Sequence, residues 1–506
     1  GAAAGGAAAP DRTFWFASFD SLRERRGLAR LAAVPGAAER SGDFSAGGRI
    51  IVDPFTRQPL PGNRVPSSRI APLSARVLAL FPLPNRDAGA ANFLAQPVLR
   101  ESLSQFHGRL DHRLTSADRI TLRYSLGDQD LGEPYTEELA ATPGFGDEVS
   151  NRGHNAMVHH TRALGARTLH SLRIGFSRGF RGVRPENHRV DVGRLWGVDW
   201  LDVRPRDFGY PLVNVAGYSA AGDAAQLPLE RTVNTGQIVE SLSLVRGRHA
   251  VKLGGEVRHQ RLAGFLDYFA RGSLSFSGAL SNTGLSDLLL GFPSFGLQAT
   301  FDNRQALRAT AYSLYAQDDW KIRPNLTVNL GLRYEYNTPP VDPSDRMAAL
   351  VPSTGRIVNV GTGGVSRSGL RNDGNNFAPR AGIVWAPEPG TAVRAGYGVY
   401  YDASMLVVNS SLYFNPPYFN VRIFFPTATS LLTLANPFPR QGGITPAPSP
   451  NTLSPDLTTS YLQHWSFSAE RQIGRATTAS VAYAGSKGTH LIRSRDLNQP
   501  PPAPGP

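Results

Sequence analysis

Five groups of residues in this 506-residue chain have the types and spacing that chemistry requires. Gly175-Phe176-Ser177-Arg178-Gly179 fits G-x-S-x-G, in which a serine nucleophile stands on a sharp turn from strand to helix. An alternating run precedes it, but Gly182 and Pro185 follow and no helix signal appears, so the segment reads as the top of a strand entering a loop. His154, His159 and His160 crowd one segment. On a strand, His154 and His160 share a face and His159 points away, so a metal site would need a further ligand from elsewhere. Gly361-Thr362-Gly363-Gly364 with Ser366 and Ser368 resembles a phosphate cradle but lacks the Gly-Lys-Ser/Thr ending and a following helix. It reads as a loop. Asp318 and Asp319, beside Trp320, would face opposite ways on a strand and could not work as a carboxylate pair. The acidic stretch Gly146 to Glu148 supplies too few carboxylates for calcium. No residue is therefore assigned a catalytic, metal-binding or cofactor-binding role, no intrinsic cofactor is expected, and the chain reads as a non-enzyme.

Composition narrows the class. Cys is absent, which removes disulfides, thiolate metal sites and cysteine nucleophiles. The formal charge is +13, but only Lys252, Lys321 and Lys487 are lysines and the remaining cations are Arg. With abundant Ala, Gly and Pro, that bias reads as genomic, and no nucleic-acid partner is expected. No apolar run approaches the roughly 18–20 residues of a transmembrane helix. The opening GAAAGGAAAP has neither the basic region nor the apolar core of a signal peptide.

Strand periodicity dominates the elements that would position any site. Leu326, Val328, Leu330, Leu332, Tyr334 and Tyr336 alternate with Thr327, Asn329, Gly331, Arg333 and Glu335. Similar alternation marks 120–126, 172–176 and 393–401, whereas helical spacing is confined to Ile70 to Phe81. About thirteen strands are expected, near 12–19, 105–114, 119–127, 154–164, 167–178, 237–245, 250–261, 308–321, 325–337, 378–386, 391–402, 459–473 and 476–485. A further hairpin could lie in 273–301. Very short links (Ser116 to Asp118, Gly165-Ala166, Arg246 to Arg248, Arg323 to Asn325, Ala386 to Gly390, Gly474-Arg475) alternate with long ones. The long links are roughly 21–104, 128–153, 179–236, 262–306, 338–377 and 403–458. In an up-and-down barrel every second link lies at the same end, so this sorting predicts an outer-membrane barrel with short periplasmic turns and long extracellular loops. The apolar face of each run would meet lipid, and Trp320, Tyr334, Tyr336, Tyr400, Tyr401 and Trp465 sit where interfacial aromatics belong.

Nine segments, in order, resemble acidobacterial TonB-dependent receptors of the Oar-like type. They are DRTFWFASFDSLRERRG (11–27), RSGDFS (40–45), PLPGNRVPSSRIAP (59–72), LALFPLPN (78–85), QFHGRLDHRLTSADRITLRYS (105–125), YSLYAQDDWKIRPNLTVNLGLRYEY (312–336), NNFAPRAGIVWAP (375–387), RAGYGVYYD (394–402) and SVAYAGSKGTHL (480–491). The resemblance implies an all-β transmembrane barrel of the cell outer membrane, of which this chain would carry about 13 of an expected 22 strands. Residues 1–10 are expected to be a linker at the end of a missing plug, 11–495 a partial barrel, and 496–506 a Pro-rich loop. The implied function is energy-coupled uptake of an unidentified large solute, with an adhesion or structural barrel as the alternative. The implied partners are outer-membrane lipid and lipopolysaccharide, that solute, and the TonB energy-coupling complex acting through the missing N-terminal region. Substrate-binding residues stay unassigned. Arg109, Arg123, Arg173, Arg258, Arg333 and Arg394 fall on the polar face, where they would line the lumen and pair with plug carboxylates or bind anionic solute, or stand as plain solvated charge.

Overall fold

Short turns set the frame. Gly165, Gly247, Gly390 and Gly474 each adopt a positive φ, between +60° and +83°, in the tight links, where a side chain would be strained. The strands they join build one antiparallel sheet of 14 strands in strict chain order. We number them β1 (Ala2–Ala9), β2 (Thr13–Gly27), β3 (Val98–Arg113), β4 (Asp118–Glu133), β5 (Asp147–Ala163), β6 (Thr168–Pro185) and β7 (Leu229–Arg246). The series continues with β8 (His249–Leu266), β9 (Gln305–Arg323), β10 (Leu326–Asn337), β11 (Asn376–Trp385), β12 (Thr391–Tyr401), β13 (Tyr461–Ile473) and β14 (Thr477–Thr489). This computed structural model describes residues 1–135, 142–301, 304–402, 406–427, 430–439 and 450–499. The expected Pro-rich loop at 496–506 lies outside the described residues from 500 onward.

Directly paired residues share a face, so the register sorts side chains without ambiguity. Trp15, Leu110, Leu122, Val158, Ile174, Ile238, Val257, Tyr312 and Tyr336 form one continuous row across β2 to β10. Leu122, Val158, Ile174, Ile238, Val257 and Tyr312 in that row are 40% to 50% exposed. In water such a surface would be a large association-prone patch; in a bilayer it is the solvent-matched face.

Three expectations are corrected. The 14 strands exceed the thirteen read from the sequence because residues 1–10, expected to be a linker, hold β1. An Ala/Gly run has no apolar–polar alternation to detect, yet its backbone pairs with β2 from Ala2↔Phe19 to Ala9↔Thr13. The pair within 273–301 exists, as Ser273–Phe276 against Phe295–Phe301, but it belongs to a separate four-stranded sheet with Leu212–Val215 and Phe419–Phe424. Finally, most strands run further toward the long links than the alternation does; β4 continues to Glu133 and β6 to Pro185. Strands of 16 to 19 residues exceed the roughly 9–11 that cross a bilayer, and beyond it both faces are wet, so the pattern fades while the ladder continues.

The long links are ordered and pack on one another. Ile51, Val77, Leu274, Leu288 and Leu289 are fully buried in a core drawn from five different links. Helix Pro72–Leu78, where the sequence predicts one, meets helix Gly284–Leu290, and Ser74 Oγ donates to the Leu288 carbonyl at 2.6 Å. The second helix starts on Thr283, whose hydroxyl accepts from Ser286 N at 3.1 Å, and stops at Gly291 with φ +79°. A second core joins Met347, Leu412 and Tyr413 of the links to Leu262 of β8 and Leu307 of β9. Both strand residues lie on the face opposite the apolar row. The cap formed by the links therefore folds down onto the polar face, which is the inside.

Candidate functional site

The inner wall carries the chemistry that the sheet positions. One step along the strands from the apolar row runs Arg109, Arg123, Met157, Gly175, Gln237, Arg258, Ala311 and Asn337. Arg173, Arg333 and Arg394 fall on the same face by the same pairing. All six arginines singled out from the sequence therefore look inward.

Their partners differ. Arg109 grips Asp111 through two bonds, Nε–Oδ2 at 2.5 Å and Nη2–Oδ1 at 2.9 Å. Arg333 Nε donates to Glu335 at 2.6 Å, and both Arg333 and Arg258 approach Glu256, at 3.5 Å and 3.6 Å. Arg394 Nη1 lies 2.9 Å from Glu470. Arg123 and Arg173 have no ion pair among the described residues. His159, paired with both Arg173 and Thr121, lies between their strands and contacts Ser171 Oγ at 2.8 Å. Cations thus outnumber carboxylates along this part of the wall, and an anion passing it would be attracted.

Further round the sheet, Gln317, Asn329, Arg380, Tyr400, His464 and Ser466 line a recess of about 230 Å³ on the same face. Gly331, Gly382, Gly396 and Gly398 open the space, and the Arg380 guanidinium lies 4.5 Å above the Tyr400 ring. Tyr400, expected among the interfacial aromatics, is instead an inward residue. Trp320 stays outward, stacked on His249 with ring centres 5.4 Å apart, and Trp465 pairs with outward Tyr397.

The groups with suggestive spacing are kept apart by the same geometry. Ser177 sits in the middle of β6 opposite Asn155 and Thr235, and the strand runs on to Pro185, so there is no elbow. His154 and His160 share a face, as their spacing predicts, and the register makes it the outward one. His154 contacts Tyr124 Oη at 2.9 Å and His160 contacts Asp118 at 3.1 Å. His159 faces the lumen. Asp318 turns outward to His249 Nδ1 (2.6 Å) and Asp319 inward to Asn329 Nδ2 (2.6 Å). Gly361, Gly363 and Gly364 make a positive-φ turn, while Ser366 and Ser368 both donate to the Leu370 carbonyl. Of the acidic stretch, Gly146 N donates to Glu186 and Glu148 lies 3.6 Å from His188. Among the described residues no group of three or more His, Asp or Glu could hold a metal.

One cluster in the cap was invisible in the sequence. Arg271, 2% exposed, donates to the carbonyls of Ala224 (2.7 Å) and Asp207 (3.3 Å). Around it stand Asp223, held by Asn187 Nδ2 and Tyr210 N, and Asp267, held by Arg204 Nη2 at 3.0 Å. Burial lowers the Arg271 pKa and raises that of Asp223. Asp267 is pushed up to about 7 by burial and by the neighbouring Asp207 carboxylate. The residues come from links more than 40 positions apart, so no local pattern could signal them.

The whole chain, residues 1–506, matches the family model described as an outer membrane beta barrel domain. The protein belongs to that family, and its place is the outer membrane. Among solved structures it is similar to the outer membrane transporter YddB from Escherichia coli, with 12% identity and a TM-score of 0.52, over 95% of this chain and 45% of that one. It also matches the siderophore receptor PirA from Acinetobacter baumannii, with 11% identity and a TM-score of 0.46, over 96% of this chain and 49% of that one. The chain thus spans about half the length of these structures. In fold, the 14-stranded sheet resembles the barrel of that outer membrane transporter. No match was found among curated proteins.

Proposed function

We propose that this chain is the barrel portion of an Oar-like TonB-dependent transporter that takes up a large solute. The observation that carries the reading is the pairing of a 14-stranded, lipid-facing sheet with a polar, arginine-rich inner wall under an ordered cap. A barrel that served only as an anchor has no use for an inner wall whose cations exceed its anions. That excess favours an anionic or anion-bearing solute. Energy would come from the inner-membrane TonB complex acting on a plug domain within the lumen, which the arginines without ion pairs, Arg123 and Arg173, would also suit as docking points for carboxylates. The alternative, an adhesion or structural barrel displaying its loops, draws on the cap, whose hydrophobic core makes it a stable display surface.

The test compares a strain carrying the full reading frame with its deletion. Depletion of solutes from the medium is followed with the proton-motive force intact and dissipated. Transport is supported by a solute removed only when both gene and energy are present. A deletion that changes cell attachment and leaves every solute's depletion unaltered overturns it in favour of display.

A further inference from the structure

The outer surface carries a row of cations that neither the lumen nor the cap uses. Next to the apolar band, toward the loop end, the register places His154, Arg178, Asn234, Arg261 and Arg308 side by side on β5 to β9. Their parity is that of Val158, Ile174, Ile238, Val257 and Tyr312, so all five lie on the lipid-facing side. Arg178, Arg261 and Arg308 are exposed.

Arg261 and Arg308 are directly opposed, with Cα atoms about 4.5–5.5 Å apart, a placement that is destabilising for like charges. Among the described residues no carboxylate is paired with either of them. The outward acids beyond the row are engaged elsewhere: Asp128 accepts from Arg152 Nε at 2.8 Å, and Glu230 lies 3.7 Å from Arg184. Asn234 lies between Arg178, which donates to its Oδ1 at 3.4 Å, and Arg261, so those two cations stand about 9.5 Å apart, two strand spacings. A repulsive pair with no carboxylate partner among the described residues, bordering a surface built for lipid chains, calls for an external anion at the headgroup level. Guanidinium forks match phosphate oxygens two at a time.

We propose that this row binds the phosphate groups of an anionic outer-leaflet lipid, one phosphate between Arg261 and Arg308 and a second at Arg178, with the acyl chains against the apolar row below. Lipid phosphate is favoured over free phosphate because the site opens sideways into the bilayer.

The full chain is reconstituted in phosphatidylcholine bilayers doped with bisphosphorylated lipid A or with the same lipid stripped of its phosphates. Bound lipid is measured by native mass spectrometry after transfer to neutral detergent, and the thermal midpoint is recorded alongside. The wild type should retain the phosphorylated lipid selectively, and each of Arg178→Gln, Arg261→Gln and Arg308→Gln should weaken retention about fivefold. Arg261→Gln should also invert its effect on stability. Without anionic lipid it relieves the like-charge pair and raises the midpoint; with bisphosphorylated lipid A it lowers the midpoint relative to wild type. Equal retention of both lipids by the wild type overturns the proposal, and that arm stands even where a variant does not fold. So does stabilisation by inorganic phosphate alone as large as that by the lipid, or an Arg261→Gln effect of one sign in both conditions.

Discussion

Replacing Arg271 by Met isolates what the buried charges of the cap do. The guanidinium is 2% exposed and stands among Asp207, Asp223 and Asp267. Methionine keeps most of the stem's volume but leaves two carbonyls without their donor and the carboxylates without their central cation. Each buried acceptor left without its donor costs about 1–3 kcal/mol, so the two carbonyls together put the loss at about 2–6 kcal/mol, or roughly one and a half to four and a half decades in hydrogen-exchange protection. The loss should be confined to segments 187–228 and 267–276, with the strands below unchanged. It should also depend on pH with a definite sign. Asp223 has a raised pKa, so its stabilising form in the folded cap is the protonated one. Removing Arg271 raises it further. At pH 5 more of the Asp223 carboxyls are neutral and need no counter-charge, so the deficit should be smaller there than at pH 8, with the loss of the two carbonyl hydrogen bonds remaining at both. Protection factors corrected for intrinsic exchange, measured at both values, are the assay. An equal loss at pH 5 and pH 8 would refute the electrostatic reasoning and leave only the lost hydrogen bonds.

Three further outcomes follow from the same structure. Ile174→Arg places a charge in the apolar row and should destabilise the protein in bilayers by about 2–4 kcal/mol, read from urea-induced unfolding. Gly175→Arg, one residue along and inward, should cost far less, because the nearest atom to an added Cβ is 3.9 Å away. Leu288→Ala, at a fully buried position in the cap core, should cost about 2–5 kcal/mol, visible as faster exchange in Pro72–Leu78 and Gly284–Leu290 while heat-modifiable gel migration of the barrel is kept. In the wild type the cap should be tightest below about pH 4. It should loosen as pH rises through about 7, because Asp267 is protonated more readily folded than unfolded. Asp267→Asn should flatten that dependence in the exchange of residues 267–276.

The membrane-crossing half of each strand was legible because lipid on one side and water on the other impose period two. Leu326 to Tyr336 shows it residue by residue, and the inward arginines could be named from parity alone. β1 was not legible, since alanine and glycine carry no contrast between faces. The wet upper halves of β4 and β6 were missed because polar side chains there serve both sides. The cap was missed for a different reason. Leu274, Leu288 and Leu289 look like scattered apolar residues in Gly- and Pro-broken links, and the residues that bury them, such as Ile51 and Val77, lie some 200 positions away. The Arg261–Arg308 opposition requires the pairing register across a 38-residue link, which no local pattern encodes.

That separation governs how the molecule is assembled. The bond from Ser74 to Leu288 closes a stretch of 214 residues, and the cap's small sheet draws its strands from three different links. Bringing such distant pieces together as a free chain carries a large loop-closure cost. Once the intervening hairpins have zipped side by side in the membrane, the same pieces are already neighbours. The cap is therefore the last part to order, and its formation reports that the wall beneath it has been laid down in the right sequence.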